Sequence, residues 1–211
     1  MRKILALLTA LIMVFTLAAC ASDEINLNSL QLFRLMKSGT VSFDYAMEVE
    51  GMDATGTLAL DGDKMAMTMT MDGEMLGLGD ESMTIRIIVK DYMGYMVFDD
   101  MEAVMEMPLD ELDMLDLFEE FLVSSDMNLV QVDSGTAEIN GKTLTYIDYI
   151  EDDDGEVGRI FIENGEVYAL ASADADEFVM FVSNVSANVS AALFEIPEHY
   201  MDFMEMFMGM F

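Results

Sequence analysis

The sequence predicts a mainly β fold of the α+β class, in which an antiparallel sheet has an apolar face that helices cover. The turns Asn140-Gly141, Asp154-Gly155 and Asn164-Gly165 lie within the stretch from Gly135 to Ser172. Asn-Gly and Asp-Gly supply the positive φ angles that tight hairpin turns require. The stretch therefore predicts four consecutive antiparallel strands, and a sheet with one apolar face must pack against another layer.

Two-residue loops at these turns predict a register for the hairpins. Tyr149 would then lie opposite Ile160, and Ile162 opposite Val167. Asp148 and Arg159 would become diagonal neighbours within ion-pair reach. One face of this sheet would collect Ile147, Tyr149, Ile160, Ile162, Val167 and Ala169. The opposite face would collect Tyr146, Asp148, Arg159, Phe161, Tyr168 and Leu170.

Composition excludes several classes of function. The chain has 211 residues, enough for one moderate domain, and a formal net charge of -32. Nucleic acid is not an expected partner, because phosphate binding needs basic surface. An anionic membrane surface would also repel the chain. Disorder is not expected, since 53% of the residues are hydrophobic.

Cys20 and His199 are the single cysteine and the single histidine of the sequence. A disulfide within the chain and a zinc cluster of His and Cys ligands are therefore impossible. Any nucleophile that needs an imidazole would depend on His199, which has no recognisable motif around it. We predict no enzyme activity, no catalytic residue and no cofactor.

The first residues have the pattern of a targeting segment. Arg2 and Lys3 form a basic start, and the apolar run from Ile4 to Phe15 is too short to span a membrane comfortably. The sequence Leu17-Ala18-Ala19-Cys20 resembles the bacterial lipobox, the signature of lipoprotein signal peptides. An ordinary secretory leader with an incidental cysteine is the alternative.

The lipobox resemblance implies that the Cys20 thiol receives a diacylglyceryl group and that the leader is cut just before it. Two or more acyl chains anchor a protein stably, since each buried CH₂ contributes roughly 0.8 kcal/mol. The mature chain would carry seven basic and 41 acidic side chains, a formal charge of -34. We therefore divide the chain into a signal peptide at 1–19, a lipidated cysteine and tether at 20–26, and one β-domain at 27–211.

The mature chain begins with a short predicted helix followed by strands. Leu27, Leu30, Phe33 and Met36 recur on one helical stripe, and Gly39 is a suitable C-terminal stop. From residue 41 to 49, apolar and polar residues alternate as in a half-buried strand. Further strands are predicted at 83–90, 92–98, 101–107, 128–132 and 177–184.

The turn at Asp61-Gly62 closes a predicted hairpin with two chemically distinct faces. One face carries Leu58, Leu60, Met65, Met67, Met69 and Met71. The other face carries Thr55, Thr57, Ala59, Lys64, Ala66, Thr68 and Thr70. This hairpin is the clearest candidate for a sheet with an apolar inner side.

A second helix is predicted from Pro108 to Leu122, where Leu109, Leu112, Leu115 and Phe118 repeat at helical spacing. Pro108 suits a first helical turn, and the acidic residues would take the outer side. The helix is interpreted either as a cover over a ligand cavity or as an ordinary amphipathic helix above a solid core. The apolar tail at 200–211 is expected to pack onto the domain rather than to touch lipid.

Methionine is the main compositional bias, with 24 residues in the chain. The simplest interpretation is that methionine replaces leucine in an ordinary hydrophobic core. A second is an adaptable wall for apolar ligands of variable shape. A third is a soft-metal site, since thioethers favour Cu(I) and Met65, Met67, Met69 and Met71 point the same way. These three interpretations remain open at the level of sequence.

The order of elements resembles the LolA/LolB/LppX-like superfamily of bacterial lipoprotein carriers, especially uncharacterised members in Gram-positive bacteria. The resemblance rests on the lipobox, the short helix, the long meander, the middle helix, the hairpins and the closing Leu-Phe-Glu-Ile-Pro-Glu-X-Tyr at 193–200. It implies a curved antiparallel sheet or incomplete β-barrel, with helices on the concave face and a cavity for lipid. No functional residue of that family is matched here.

These observations together predict a membrane-anchored extracytoplasmic lipoprotein that holds a lipid or other hydrophobic ligand between sheet and helices. The anchor would lie on the outer face of the cell membrane, or in the outer membrane of a diderm, and we expect a monomer. The alternatives are a copper-binding lipoprotein and a surface interaction or structural lipoprotein without a ligand. The predicted ligand contacts are Phe43, Tyr45, Leu58, Met65, Met67, Met69, Leu115 and Phe118.

Overall fold

The computed structural model describes residues 27–49, 52–72, 82–108, 129–151, 157–172, 178–203 and 205. The predicted lipidation site Cys20 and the predicted contacts Leu115 and Phe118 lie outside the described residues. The same holds for most of the predicted 108–122 helix, for the Asp154-Gly155 turn and for the last six residues of the tail.

Strands dominate the described part of the chain. A short 3₁₀ turn at Leu27–Ser29 leads into helix α1 at Gln31–Lys37, and Gly39 follows with a φ of 73°, as its place after a helix predicts. Further 3₁₀ turns lie at Asp99–Met101 and Ala191–Phe194. The strands are β1 Thr40–Val49, β2 Met52–Asp61, β3 Lys64–Asp72, β4 Ser82–Lys90, β5 Met93–Phe98, β6 Ala103–Pro108, β7 Leu129–Ile139, β8 Lys142–Glu151, β9 Val157–Glu163, β10 Glu166–Ser172, β11 Phe178–Ser186 and β12 Met201–Asp202.

The described strands form one open, curled sheet in the order β12-β6-β5-β4-β3-β2-β1-β11-β10-β9-β8-β7. Neighbouring strands are antiparallel, apart from the short parallel pairing of β12 with β6. We call the face against which α1 packs the inner face; it carries Phe43, Tyr45 and Ile147. The opposite side is the outer face. The prediction of a mainly β fold, with a curved antiparallel sheet and a helix on one face, is confirmed.

The β8–β9 register differs by two residues from the prediction. Ile147 pairs with Ile160 and Tyr149 pairs with Gly158, in place of the predicted partners Ile162 and Ile160. An even shift leaves every side chain of this hairpin on its predicted face. Asp148 lies directly opposite Arg159 rather than diagonally, and the guanidinium donates to both carboxylate oxygens at 2.6 and 2.8 Å. The predicted ion pair is therefore confirmed.

The β9–β10 hairpin follows the prediction at its tip and departs from it further along. Ile162 faces Val167 as predicted, but a bulge then shifts the register, so Ala169 pairs with Phe161 and Leu170 with Ile160. A bulge inserts one extra residue and moves the following side chains to the other face. Ala169 consequently lies in the outer cluster and Leu170 packs on the inner one, the reverse of the prediction.

Two element boundaries also differ from the prediction. Pro108 is the last residue of β6, opposite Met93, and not part of a first helical turn. The segments predicted as separate strands at 128–132 and from Gly135 are one strand, β7, with an irregularity between Gln131 and Asp133. Strand β7 lies at one edge of the sheet and β6 next to the other edge, so residues 109–128 connect opposite ends of the strand order.

The C-terminal segment covers half of the outer face. Phe194 is 6% exposed and packs with Ala59, Ala66, Ile88 and Val97. Two strand cations hold this segment: the Arg86 guanidinium donates to the Glu195 carbonyl at 3.1 Å, and the Lys90 ammonium donates to the Phe194 carbonyl at 2.9 Å.

Asp99 also helps to hold the C-terminal segment on the sheet. Its carboxylate accepts hydrogen bonds from Arg86 at 2.7 and 2.9 Å and from the Tyr200 hydroxyl at 2.9 Å. The hydrogen bond from Arg86 lowers the pKa of Asp99, and the bond from Tyr200 and the guanidinium charge add to the effect against the opposing influence of burial.

This geometry predicts an acid-sensitive contribution to stability from Asp99. Because the folded-state pKa lies below the ordinary value, the carboxylate stabilises the fold above that value, and the contribution is lost as pH falls through the folded-state pKa. We expect Asp99→Asn to lower the melting temperature at about pH 7 and to show a smaller deficit at about pH 3, which is below the ordinary carboxyl pKa. Asp63→Asn, in the exposed turn between β2 and β3, is the control. An equal deficit for Asp99→Asn at both pH values would contradict the assignment.

Candidate functional site

The inner face of β1 to β6 is an uninterrupted apolar surface. Cross-strand pairing aligns its side chains in rows that run through all six strands. The first row is Val41, Leu60, Met65, Val89, Gly94 and Met107. The second is Phe43, Leu58, Met67, Ile87, Met96 and Met105. The third is Tyr45, Gly56, Met69, Ile85, Phe98 and Ala103.

The structure brings together the predicted contacts that lie in its described part. Leu58 sits between Phe43 and Met67 in the second row. Met65 occupies the first row, and Tyr45 and Met69 occupy the third. The side chains of the β2–β3 hairpin lie on the faces that the Asp61-Gly62 pattern predicts, because directly paired residues share a face.

Tyr45 is fixed in place by a hydrogen bond across a neighbouring strand. Its hydroxyl donates to the carbonyl oxygen of Thr68 on β3 at 3.0 Å, and the residue is 3% exposed. The intervening residue on β2 is Gly56, where any Cβ would collide with that same carbonyl oxygen. Burial raises the pKa of Tyr45, so the phenol remains protonated at neutral pH. Tyr45 is thus a fixed part of the inner face.

Helix α1 closes the middle of the inner face. It packs on β1, β10 and β11, and its own core side chains Leu32, Phe33 and Met36 are buried. The Gln31 side chain donates to the Val185 carbonyl at 3.2 Å, which ties the helix to the end of β11. Phe43, Val182 and Ile160 lie in the cluster beneath it.

Burial on the inner face is uneven, because Met65, Ile87 and Ala103 are buried beside methionines that are only half-buried. Phe43 and Leu58 are 3% and 6% exposed, whereas several methionines further out are only half-buried. Phe98 is buried as well, and its ring stacks on Phe203 with centroids 4.8 Å apart. The half-buried inner-face methionines of β3, β5 and β6 are Met67, Met69, Met71, Met96, Met105 and Met107.

The sequence prediction missed the contribution of β4 to β6 to this surface. Met83, Ile85, Ile87 and Val89 alternate with polar residues apart from Ile88, and Met96, Met105 and Met107 continue the surface on β5 and β6. The alternation was present in the sequence. The register across β3, β4 and β5, which places these residues beside Met67 and Met69, depends on connections that no turn motif specifies.

The basic side chains of the strands occupy the outer face. Alternation along the strands and cross-strand pairing place five basic residues on this face. They are Lys64, Arg86, Lys90, Lys142 and Arg159. Lys142 bonds Glu163 at 2.9 Å and lies 4.4 Å from the Tyr168 ring centroid. The Arg159 guanidinium lies 4.0 Å from the Tyr146 ring centroid. These cations cover an outer aromatic cluster that includes Phe161 and Phe181.

The described residues provide neither a metal centre of ordinary ligands nor a membrane-crossing helix. In this part of the chain, no three His, Cys, Asp or Glu side chains are grouped as metal ligands. A helix with the length and hydropathy needed to cross a membrane is likewise absent from the described ranges. His199 is exposed and contacts the ring of Tyr200.

Comparisons with known proteins give no family for this chain. No family model matches, and no curated protein matches. Among solved structures, an uncharacterized conserved protein from Thermus thermophilus overlaps 82% of this chain and 93% of its own, at 8% identity and a TM-score of 0.46. PNGF-II overlaps 77% of this chain and 30% of its own, at 10% identity and a TM-score of 0.31. At these TM-scores neither neighbour bears on function.

Proposed function

We propose that this chain is a membrane-anchored extracytoplasmic lipoprotein whose curled sheet binds a lipid or other hydrophobic ligand against its inner face. Cys20 is the proposed site of lipid attachment, and the resemblance to lipoprotein carriers motivates the proposal. The observation that carries it is the unbroken apolar surface of β1 to β6, where aligned cross-strand rows contain no charged side chain.

The half-buried methionines of this surface support a ligand position. Beneath α1 the side chains pack tightly, as Phe43 and Leu58 do. Towards β6 the half-buried side chains are largely methionines, which are unbranched, polarisable and able to change rotamer. Ligand pockets are lined predominantly by apolar side chains. A site on β3 to β6 would thus be rigid on the α1 side and adaptable on the other.

Anchoring gives the first test of this proposal. We expect the full chain, expressed in a bacterium, to sediment with membranes and to carry a covalent lipid on the fragment that begins at Cys20. The variant Cys20→Ser should appear in the soluble extracytoplasmic fraction, because the remaining acidic chain is repelled by anionic lipid. Recovery of unmodified parent protein in the soluble fraction would refute the proposed lipid anchor, and it would not bear on the proposed ligand site.

Ligand binding gives the second test, made on the Cys20→Ser chain. We expect native mass spectrometry to detect co-purifying lipid, and a diacylglycerol with a fluorescent acyl chain to bind saturably. Met67→Asp places a charge on the inner face and should weaken binding by about tenfold or more, because an unpaired buried charge is costly.

Thr68→Asp is the matched control for this test. It makes the same change in net charge as Met67→Asp, at the adjacent position of β3 on the outer face. We expect its affinity for the lipid to stay within about twofold of the parent value. A folded protein with no bound lipid and no saturable binding would show that the inner face is filled by the chain itself. The chain would then be a structural or interaction lipoprotein.

A copper-binding function is the second candidate, and one observation favours it. Met96 pairs directly with Met105, and Met71 pairs directly with Met83, on the same face as Met67 and Met69. Thioether sulfurs are Cu(I) ligands. Titration with Cu(I) should then give a stoichiometric site that the double variant Met67→Leu, Met69→Leu abolishes. Unsaturable or absent binding by the folded parent rejects this candidate.

A further inference from the structure

The two faces of the sheet differ completely in their cations. The sequence holds nine Lys and Arg residues, of which Arg2 and Lys3 lie in the predicted leader. Arg34 and Lys37 are exposed on α1. The remaining five are strand residues, and each lies on the outer face. The cations on the inner side are thus Arg34 and Lys37 of α1, which packs on β1, β10 and β11 and not on β3 to β6. Residues 109–128 and 204–211 contain no Lys or Arg.

Four of the five outer-face cations are also committed to partners, and the fifth, Lys64, is exposed at the start of β3. Arg86 binds Asp99, Lys142 binds Glu163 and Arg159 binds Asp148. Lys90 donates to the Phe194 carbonyl. Breaking any of these bonds to serve a ligand would remove a structural contact. The cations that the sheet possesses are therefore not placed to meet a ligand on the inner face, and four of the five are not available for it.

Most acidic side chains of the described strands follow the same division. Among the described strand residues, Asp44, Glu48, Asp61, Glu106 and Asp148 lie on the outer face by their pairing. Glu138 has the inner-face orientation, but it lies at the far end of the edge strand β7 and is exposed. The inner face of β1 to β6 thus offers neither a positive nor a negative partner within the described residues.

An ionic headgroup on this surface would lose its water without gaining a counter-charge. Burial of an unpaired charge is strongly unfavourable, whereas burial of acyl chains is favourable in proportion to their apolar area. An anionic lipid would therefore have to leave its headgroup in solvent, next to a chain with a net charge of -32.

We propose that the inner-face site selects an uncharged long-chain lipid, of the diacylglycerol class, over anionic phospholipids with the same acyl chains. This inference rests on the proposed lipid-binding function and specifies the ligand class for the same site.

Lipid uptake from vesicles tests the selection on the Cys20→Ser chain. Phosphatidylcholine vesicles carry a trace of labelled dioleoylglycerol in one arm and of labelled dioleoylphosphatidylglycerol in the other. After the vesicles are pelleted, label in the supernatant measures the lipid held by protein. We expect at least about tenfold more uptake of the uncharged lipid. Equal uptake, or more of the anionic lipid, overturns the inference and leaves lipid binding intact. Uptake of neither overturns both.

High salt separates selection by the site from repulsion by the protein surface. The Debye length falls from about 10 Å at 0.1 M to about 3 Å at 1 M, so long-range repulsion is largely screened. A desolvated headgroup without a partner is not rescued by screening. We expect the preference to persist at high salt. Its disappearance would show that the acidic surface, rather than the inner face, excludes anionic lipid.

A cation introduced on the inner face should change the preference. Met69→Lys places an ammonium on the half-buried part of β3, and its long side chain can keep the charge near solvent. We expect it to raise uptake of the anionic lipid relative to the uncharged one by about tenfold. Thr68→Lys makes the same change in net charge on the outer face and should leave the ratio unchanged. An equal response of the two variants would contradict selection at the inner face.

Discussion

The constraint on which this structure depends is that the described strands form one sheet with two apolar faces, and both faces have to be covered. Each face of an apolar sheet must pack against another layer. On the outer face, the segment around Phe194 covers the β2–β5 half, and Arg86 and Lys90 hold it there. On the other half, aromatic side chains and their cations form the cover themselves. The inner face receives α1 in its middle, and β3 to β6 form the region where we propose that a ligand binds.

Because cations are scarce in this chain, single basic side chains of the sheet make several of the contacts that cover the outer face. Arg159 combines an ion pair with Asp148 and a stacking contact with Tyr146 on an otherwise apolar patch. A bidentate guanidinium fits both tasks, since its plane stacks on the ring while its fork meets the carboxylate. This use of the strand cations also affects the opposite face, because the inner face of β1 to β6 has no strand cation for an anionic ligand.

The sequence predicted those features that depend on period and on local turns. Alternation placed Phe43, Tyr45 and Met67 on one face, and the pairing of Ile162 with Val167 at the Asn164-Gly165 hairpin followed from its turn. Bulges were not predictable, because an extra residue in a strand has no fixed sequence signature. One such bulge exchanged the faces of Ala169 and Leu170. The neighbours of Met67 on β4 were missed for a related reason, since long-range pairing is set by packing rather than by a motif.

The distribution of methionine within the inner face argues for adaptability rather than simple replacement of leucine. Met67 pairs with Leu58 on one side and with Ile87 on the other, so branched side chains flank the methionine strand. Branched residues have few rotamers and pack stably on a pleated surface, whereas methionine fills irregular space. The branched residues of β2 and β4 thereby stabilise the strand register, and the methionines of β3 can rearrange to change the shape of the surface. An acyl chain has many conformers, and a wall of this kind can follow them without moving a strand.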